Sequence, residues 1–295
     1  MRLLRTFAEL PAKANLAIGV FDGVHLGHQR VISEARAAGG TAVALTFDPH
    51  PIRTLRPDQA PLLLTSTEHK LALFRHLGLD ACLLVKFDKA FSETPAERFI
   101  EQISTCRQVC VGTRFHFGHG RTGNVALMEK LAPRYGFTVK EIQSVHTPAG
   151  EMISSTAVRK HLLAGNLDRA AAMLGRQFSI LGTVEHGDHR GHELGFPTAN
   201  LNPRNEVLPP DGVYAVRVRL ADATLTGVVN IGVRPTFAGT ARRLEVHILD
   251  FDQGLYGQEI EVEFVRHLRP EQKFASVAEL KAQIALDVQA ARLFH

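Results

Sequence analysis

Two periodicities divide this 295-residue chain, and any fold it adopts must accommodate both. From the start to about residue 175, short apolar runs alternate with stretches whose apolar residues recur at helical spacing. Residues 15–21, 41–47, 80–87, 108–112 and 137–145 read as strands. Residues 28–38, 67–77 and 95–103 read as helices, the first two ending at Gly39-Gly40 and at Gly78. Strand and helix in alternation build βαβ units. They predict a Rossmann-like α/β domain with a parallel sheet, helices on both faces and ligands beyond the strand C-termini.

After about residue 178 the period falls to two. GVYAVRVRL (212–220), TLTGVVNIG (224–232), RLEVHILDF (243–251) and EIEVEFVRHL (259–268) mostly alternate faces. Ile260, Val262 and Phe264 point one way, and Glu259, Glu261 and Glu263 the other. This predicts an all-β barrel, closed by an amphipathic helix in residues 277–293, where Val277, Leu280, Ile284 and Val288 recur. The joint is expected near Gly175-Arg176, after a two-helix segment that turns at Gly165-Asn166. The expected domains are residues 1–177 and 178–295.

Composition narrows the function. The hydrophobic fraction of 45% suits a buried core. No apolar run approaches the roughly 20 residues that span a bilayer, and the N-terminal apolar stretch is too short for a secretory signal. The expected location is the cytoplasm, with no membrane partner. Cys82, Cys106 and Cys110 lack zinc-knuckle spacing and are expected to be reduced thiols. The net charge of +4 is spread without a Lys/Arg block or an aromatic-interleaved basic motif. Such a surface suits small phosphate-bearing ligands and argues against nucleic acid.

The first candidate site follows the first strand, in GVFDGVHLGH (19–28). His25 and His28, at i and i+3, can share a face at a helix entrance. Gly23 and Gly27 admit a ligand to the backbone, and free N–H groups at the helix start favour an anion. Polyphosphate fits this arrangement, with the imidazoles as donors to charge developing on an attacked phosphate. A metal or a purely structural histidine pair are the competing readings of the two residues alone.

The whole constellation resembles the HxGH signature of nucleotidylyltransferases, and its longer form resembles the bacterial bifunctional riboflavin kinase/FMN adenylyltransferases. TFDPHP (46–51), VGTRFHFGHGRTG (111–123) and ISSTAVRKHLLAGNLDRAAAMLGR (153–176) match that family in the same order. The resemblance implies transfer of AMP from ATP to FMN, giving FAD and pyrophosphate, with His25, His28 and Arg159 catalytic. It implies nucleotide and flavin contacts from Gly19, Phe21, Asp22, Gly23, Phe47, Asp48, Pro49, Phe115, Phe117, Gly118, Ser155 and Thr156. Physically, Ser154-Ser155-Thr156 can cap a helix whose start meets a triphosphate, and Arg159 lies one turn in. One departure is Arg114, where the family usually has Asp or Asn.

In the β half, GHELGFPTANL (191–201) resembles the riboflavin kinase signature. PPDGVY (209–214), NIGVRPTF (230–237), LEVHILDFDQGLYG (244–257) and HLRPEQKF (267–274) follow in family order. This resemblance implies ATP-dependent phosphorylation of riboflavin to FMN. Gly195, Phe196, Pro197, Thr198 and Asn200 would bind nucleotide, Thr198 and Asn200 would hold Mg²⁺, and Glu245 would be the base. In its strand Glu245 faces away from Leu244 and Val246, and so leaves the core face. His192 stands where the family usually has Arg. The main alternative is an active kinase whose N-terminal half is a weakly active or regulatory flavin- or nucleotide-binding module.

Overall fold

The computed structural model describes residues 1–185, 195–236 and 239–294, so His192 lies outside the described residues. The chain forms two compact units: residues 1–62 with 67–155, and residues 63–66 with 156–295.

The first unit runs β1 (Arg2–Leu4), β2 (Asn15–Ile18), α1 (Leu26–Ala37), β3 (Ala42–Asp48), α2 (Pro51–Leu55), α3 (Thr67–His76) and β4 (Ala81–Lys86). It continues with α4 (Lys89–Ser92), α5 (Ala96–Gln102), β5 (Gln108–Gly112), β6 (His116–Phe117), β7 (Gly123–Asn124), α6 (Val125–Tyr135) and β8 (Thr138–Ile142). Six of these strands form a parallel sheet in the order β1-β4-β3-β2-β5-β8. Its central strands are buried on both faces, as near-continuous apolar runs such as Ala42–Phe47 require. One core cluster joins Leu16, Leu45, Leu83, Phe99 and Val109, and a second, on the other face, joins Ala17, Ile32, Ala44, Phe74 and Cys82.

The strand order places the ligand. From β2 the chain winds outward through β3 and β4, then returns to lay β5 against the other side of β2. Between β2 and β5 the direction of winding reverses, and the connections diverge to leave a crevice at the strand C-termini.

The second unit contains α7 (Ser155–Leu163, from its second residue), α8 (Leu167–Leu174), β9 (Ser179–Glu185), β10 (Ala199–Pro203), β11 (Gly212–Arg219), β12 (Thr224–Thr236), β13 (Gly239–Ile248), β14 (Glu259–Arg269) and α9 (Val277–Ala291). The six strands close into a barrel in the order β10-β13-β12-β11-β14-β9. Tyr214, Val216, Val229, Ile231, Leu244, Val246, Val262 and Phe264 are buried. Their neighbours Val213, Ala215 and Val228 point to the opposite face and cluster there with Ala291 and Val288 of α9. Period-two strands thus bury both faces where the helix lies and one face elsewhere.

Local differences from the sequence reading have physical causes. The first strand ends at Ile18 rather than residue 21, because the chain turns through left-handed backbone at Phe21 (φ 56°). Helix α1 begins at Leu26 rather than His28, because His25 serves as its N-cap. The strand expected to reach residue 145 stops at Ile142. Strands β1, β9 and β10 and helix α6 add to the elements read from the sequence.

Candidate functional site

The β2–α1 loop occupies one side of the switch point. Phe21 (φ 56°), Gly23 (φ 81°) and Val24 (φ 43°) all adopt left-handed backbone, a strain of about 1–3 kcal/mol at each non-glycine. Several donors hold the loop in this shape. Thr46 Oγ1 donates to the Val20 carbonyl at 3.0 Å, Ser155 Oγ to the Asp22 carbonyl at 2.8 Å, and Gln29 Nε2 to the Val24 carbonyl at 2.9 Å. Asp22 and His25 are buried as a result.

The histidines are arranged by the helix start. His25 Nδ1 accepts the backbone N–H of His28 at 3.3 Å, so a neutral His25 carries its proton on Nε2. The two rings stack with centroids 3.6 Å apart. Phe21, buried in the core, meets the His28 ring edge to face at 5.3 Å. Gly27 makes room for this stack: a Cβ there would lie 3.1 Å from His25 Cε1.

His28 is a neutral ring. Its Nδ1 is buried without a hydrogen-bond partner, whereas an imidazolium needs acceptors for both N–H groups. Burial first, then His25 and the Lys70 ammonium, hold its pKa well below the ordinary imidazole range.

On the other side of the switch point, the loop after β5 carries Phe115, Phe117 and Gly118. The two rings stack at 5.5 Å; Phe117 is buried against Phe99, and Phe115 is half-buried. At Gly118 (φ 72°) a Cβ would fall 2.7 Å from the Ala96 backbone, so this turn requires glycine. Arg114 is exposed. Phe47 is buried at the end of β3, and Asp48 and Pro49 are exposed beyond it. Gly19 backs onto the Phe21 ring. The crevice therefore draws together residues from four of the quoted motifs. Helix α7 begins at Ser155, whose hydroxyl donates to the Asp22 carbonyl. Thr156 is exposed and Arg159 half-buried on α7, in the second unit.

The barrel presents a second constellation on its outer face. Asn200 of β10 and Glu245 of β13 are register partners, and Glu245 is also the partner of Asn230 on β12. Directly opposed side chains share a face with Cβ atoms about 4.5–5.5 Å apart, so amide, carboxylate and amide form one row. Glu245 is half-buried between the buried Leu244 and Val246. His247, two residues on and on the same face, holds the loop before β10. Its Nδ1 lies 2.8 Å from the Pro197 carbonyl, so that nitrogen carries the proton, and its ring meets Phe196 edge to face. Thr198 and Asn200 are half-buried, and Gly195 and Pro197 are exposed.

Three of these participants were not singled out from sequence: Lys70, Asn230 and His247. Lys70 shares the stripe of Phe74 and Leu77 on its helix, a lysine on an apolar face. His247 follows Glu245 at strand period. Asn230 lies in NIGVRPTF with no individual signal.

No three His, Cys, Asp or Glu side chains converge for a metal among the described residues. Thr198 and Asn200 instead offer oxygen donors beside a carboxylate, a set that suits a hard cation completed by phosphate and water. Cysteine chemistry has no place in either site. All three thiols are buried, and burial pushes each up to about 12.

Residues 8–157 match the family model described as FAD synthetase, and residues 174–295 the one described as riboflavin kinase. The chain is 43% identical over 288 residues to the bifunctional riboflavin kinase/FMN adenylyltransferase of Escherichia coli K12, covering 95% of this chain and 92% of the relative. It is 37% identical over 296 residues to the protein of the same description from Bacillus subtilis, covering 96% and 93%. A crystal structure described as a macrolide-efflux protein from Streptococcus pneumoniae superposes with a TM-score of 0.83 at 27% identity, over 98% of both chains. Among the described residues of the present chain, no helix is long and apolar enough to cross a membrane.

Proposed function

The chain belongs to the family of bifunctional riboflavin kinase/FMN adenylyltransferases, and from that premise we propose how its residues divide the work. The enzyme phosphorylates riboflavin with ATP to give FMN, and transfers AMP from ATP to FMN to give FAD and pyrophosphate. The reading in which the N-terminal half is only regulatory is disfavoured by a relationship that spans both activities.

In the first unit, the FMN phosphate attacks the α-phosphorus of ATP and the bond to pyrophosphate breaks. His25 and His28, stacked at the head of α1, donate from Nε2 to the α-phosphate oxygens as negative charge builds there. Each well-placed donor supplies about 3–4 kcal/mol. The amides at the start of α1 add fixed positive potential. Gly19, Asp22 and Gly23 shape the nucleotide side of the crevice, with Phe47, Asp48 and Pro49 at the C-terminal end of β3. Phe115, Phe117 and Gly118 form the flavin side. Ser155, bonded to the Asp22 carbonyl, attends the triphosphate.

In the second unit, Glu245 removes the proton from the ribityl hydroxyl as that oxygen attacks the γ-phosphorus and the bond to the departing ADP breaks, a proton transfer worth about 10²–10⁴-fold in rate. Thr198 and Asn200 would hold Mg²⁺, which neutralises phosphate charge when bound. Gly195, Phe196 and Pro197 line the nucleotide. Dependence on ATP and three unoxidised thiols support the cytoplasm as the place where this chemistry runs.

One observation carries the assignment of the first site. The histidine loop and the Phe115–Gly118 loop leave adjacent strands on the two sides of the switch point. The test is the product mixture. With riboflavin and ATP, His28→Ala accumulates FMN and makes no FAD. With FMN and ATP, Glu245→Ala still makes FAD, but it makes no FMN from riboflavin. Full-rate FAD formation by the His28 variant would refute the site.

A further inference from the structure

Lys70, on α3, is a buried lysine that takes no part in the roles above. Its Nζ donates to the Val20 carbonyl at 2.9 Å and lies 3.5 Å from Thr46 Oγ1, which donates to the same carbonyl. Val20 is the last residue before the left-handed run that begins at Phe21, and that run delivers Asp22, His25 and His28. Strained backbone persists only where its surroundings over-determine it. Lys70 joins Thr46, Ser155 and Gln29 as donors to this loop, and it brings an ammonium to that role.

We propose that Lys70 is a positioning residue of the adenylyltransfer site: it fastens the strained loop at Val20 and adds a positive charge beside the already buried His28 ring. The inference rests on the reading of the first site given above. Its physical basis is a hydrogen bond to the root of the loop together with electrostatic proximity to the ring. From the elements packed around it, Lys70 faces Asp22 of the β2–α1 loop, Asp48 at the end of β3, Cys82 of β4 and His28 of α1. Burial lowers the affinity of Lys70 for its proton, and the two carboxylates oppose that effect. The Cys82 thiol stays protonated. Nζ donates to the Val20 carbonyl and toward Thr46 Oγ1, as an ammonium does, and its charge disfavours a proton on His28. A neutral His28 can donate one N–H to phosphate while its bare Nδ1 stays buried.

The test uses the full-length enzyme, whose riboflavin kinase activity serves as an internal reference for folding. Lys70→Met removes charge and donor; Lys70→Arg restores both; Thr46→Val removes the neighbouring donor and leaves the ammonium. FAD formation from FMN and ATP is expected to fall about tenfold or more in Lys70→Met, with FMN formation from riboflavin unchanged. By proton NMR the His28 titration moves up toward the ordinary imidazole range, and the acid limb of the FAD-forming pH profile moves with it. Lys70→Arg recovers part of the rate and the low titration, and Thr46→Val leaves the titration in place.

An FAD-forming rate within twofold of the parent in Lys70→Met, with an unmoved His28 titration, overturns the proposal. So does a titration that moves as far in Thr46→Val as in Lys70→Met, because packing alone would then explain it. Should Lys70→Met also lose kinase activity, Lys70→Arg and Thr46→Val still decide: a His28 titration displaced in both overturns the charge role. His28→Ala, run in parallel, separates the two levels. Full FAD formation in that variant defeats the site reading itself, while its inactivity beside an active Lys70→Met defeats only this inference.

Discussion

Gly27→Ala separates stability from catalysis in the first site, because its two effects on folding oppose each other while its effect on geometry has one sign. Gly27 is the second residue of α1, and its backbone is not left-handed. Alanine therefore fits the main chain and gains about 0.5–1 kcal/mol over glycine. The new Cβ, however, would stand 3.1 Å from His25 Cε1 and 3.2 Å from Nδ1, so the ring must yield by a few tenths of an ångström. The bond it accepts from His28 N is already 3.3 Å long. Losing it costs about 1 kcal/mol, as for other N-caps. The two terms offset, and the melting temperature should stay within a few degrees of the parent. Catalysis has no such compensation. A displacement of 1 Å can cost about 10²-fold, so a shift of this size should lower kcat for FAD formation roughly tenfold. Thermal unfolding and chromatography of FAD from FMN and ATP provide the two readings, with FMN formation from riboflavin unchanged. A variant that melts higher and makes FAD within twofold of the parent would show that the His25 ring position carries no catalytic weight.

Three further outcomes follow from the packing. The folded-state pKa of His28 lies below its unfolded value of 6.5, so the unfolded chain binds the extra proton. The stability this residue contributes is complete above pH 6.5 and is lost as pH falls toward the folded pKa. Chemical denaturation of the wild type should weaken across that window, and His28→Gln should flatten the slope; an unchanged slope contradicts the buried neutral ring. Asp287, buried, accepts Arg269 through both carboxylate oxygens, at 2.8–3.1 Å. Asp287→Asn should destabilise the second unit by about 3 kcal/mol in urea titration, since it strands a largely buried guanidinium; a loss below about 1 kcal/mol would mean that water already satisfies the pair. His247→Phe keeps the edge contact with Phe196 and deletes the bond to the Pro197 carbonyl. Worth about 1 kcal/mol, that bond should raise KM for ATP in the kinase reaction about fivefold, with FAD formation from FMN unaffected.

The alternation of apolar runs with helical stripes was enough to read the parallel sheet, and the shift to period two was enough to read the barrel. What escaped was whatever depends on contacts distant in sequence. Strand β1 is three residues long and exists because Arg2, Leu3 and Leu4 pair with Ala81, Cys82 and Leu83 at the sheet edge; no window that short carries a period. Helix α6 depends on Asn124 as its cap and Gly136 as its stop, with Pro133 inside it, a residue that argues against a helix when read alone. The early start of α1 comes from a histidine acting as N-cap, a position where Ser, Thr, Asp or Asn is the usual signal. The histidine motif was legible because its residues are adjacent in sequence. Lys70 was not, since its meaning lies in the Val20 carbonyl fifty residues away. The Asn200, Glu245 and Asn230 row needs the register of three strands, which alternation within each strand does not determine.

Barrel size explains why the second site lies where it does. A barrel of about eight strands has an interior just wide enough to be filled by side chains, and six strands enclose less. Here the interior is taken by Phe178, Tyr214 and Phe264, whose rings pack at 5.4–6.0 Å, together with Val229, Ile231, Leu244 and Val246. The filled interior leaves no room for a substrate, which accords with the proposed assignment of the chemistry to the outer face. Along β13, every residue between Leu244, Val246 and Ile248 is forced outward, which puts Glu245 and His247 on that face together. Helix α9 covers the neighbouring outer surface of β11 and β12 at Val213, Ala215 and Val228. It thereby closes the apolar part of the outer wall and leaves the polar row on β10, β13 and β12 beside it. The same alternation that fills the core therefore also sets a carboxylate, two amides and an imidazole side by side on the outer face.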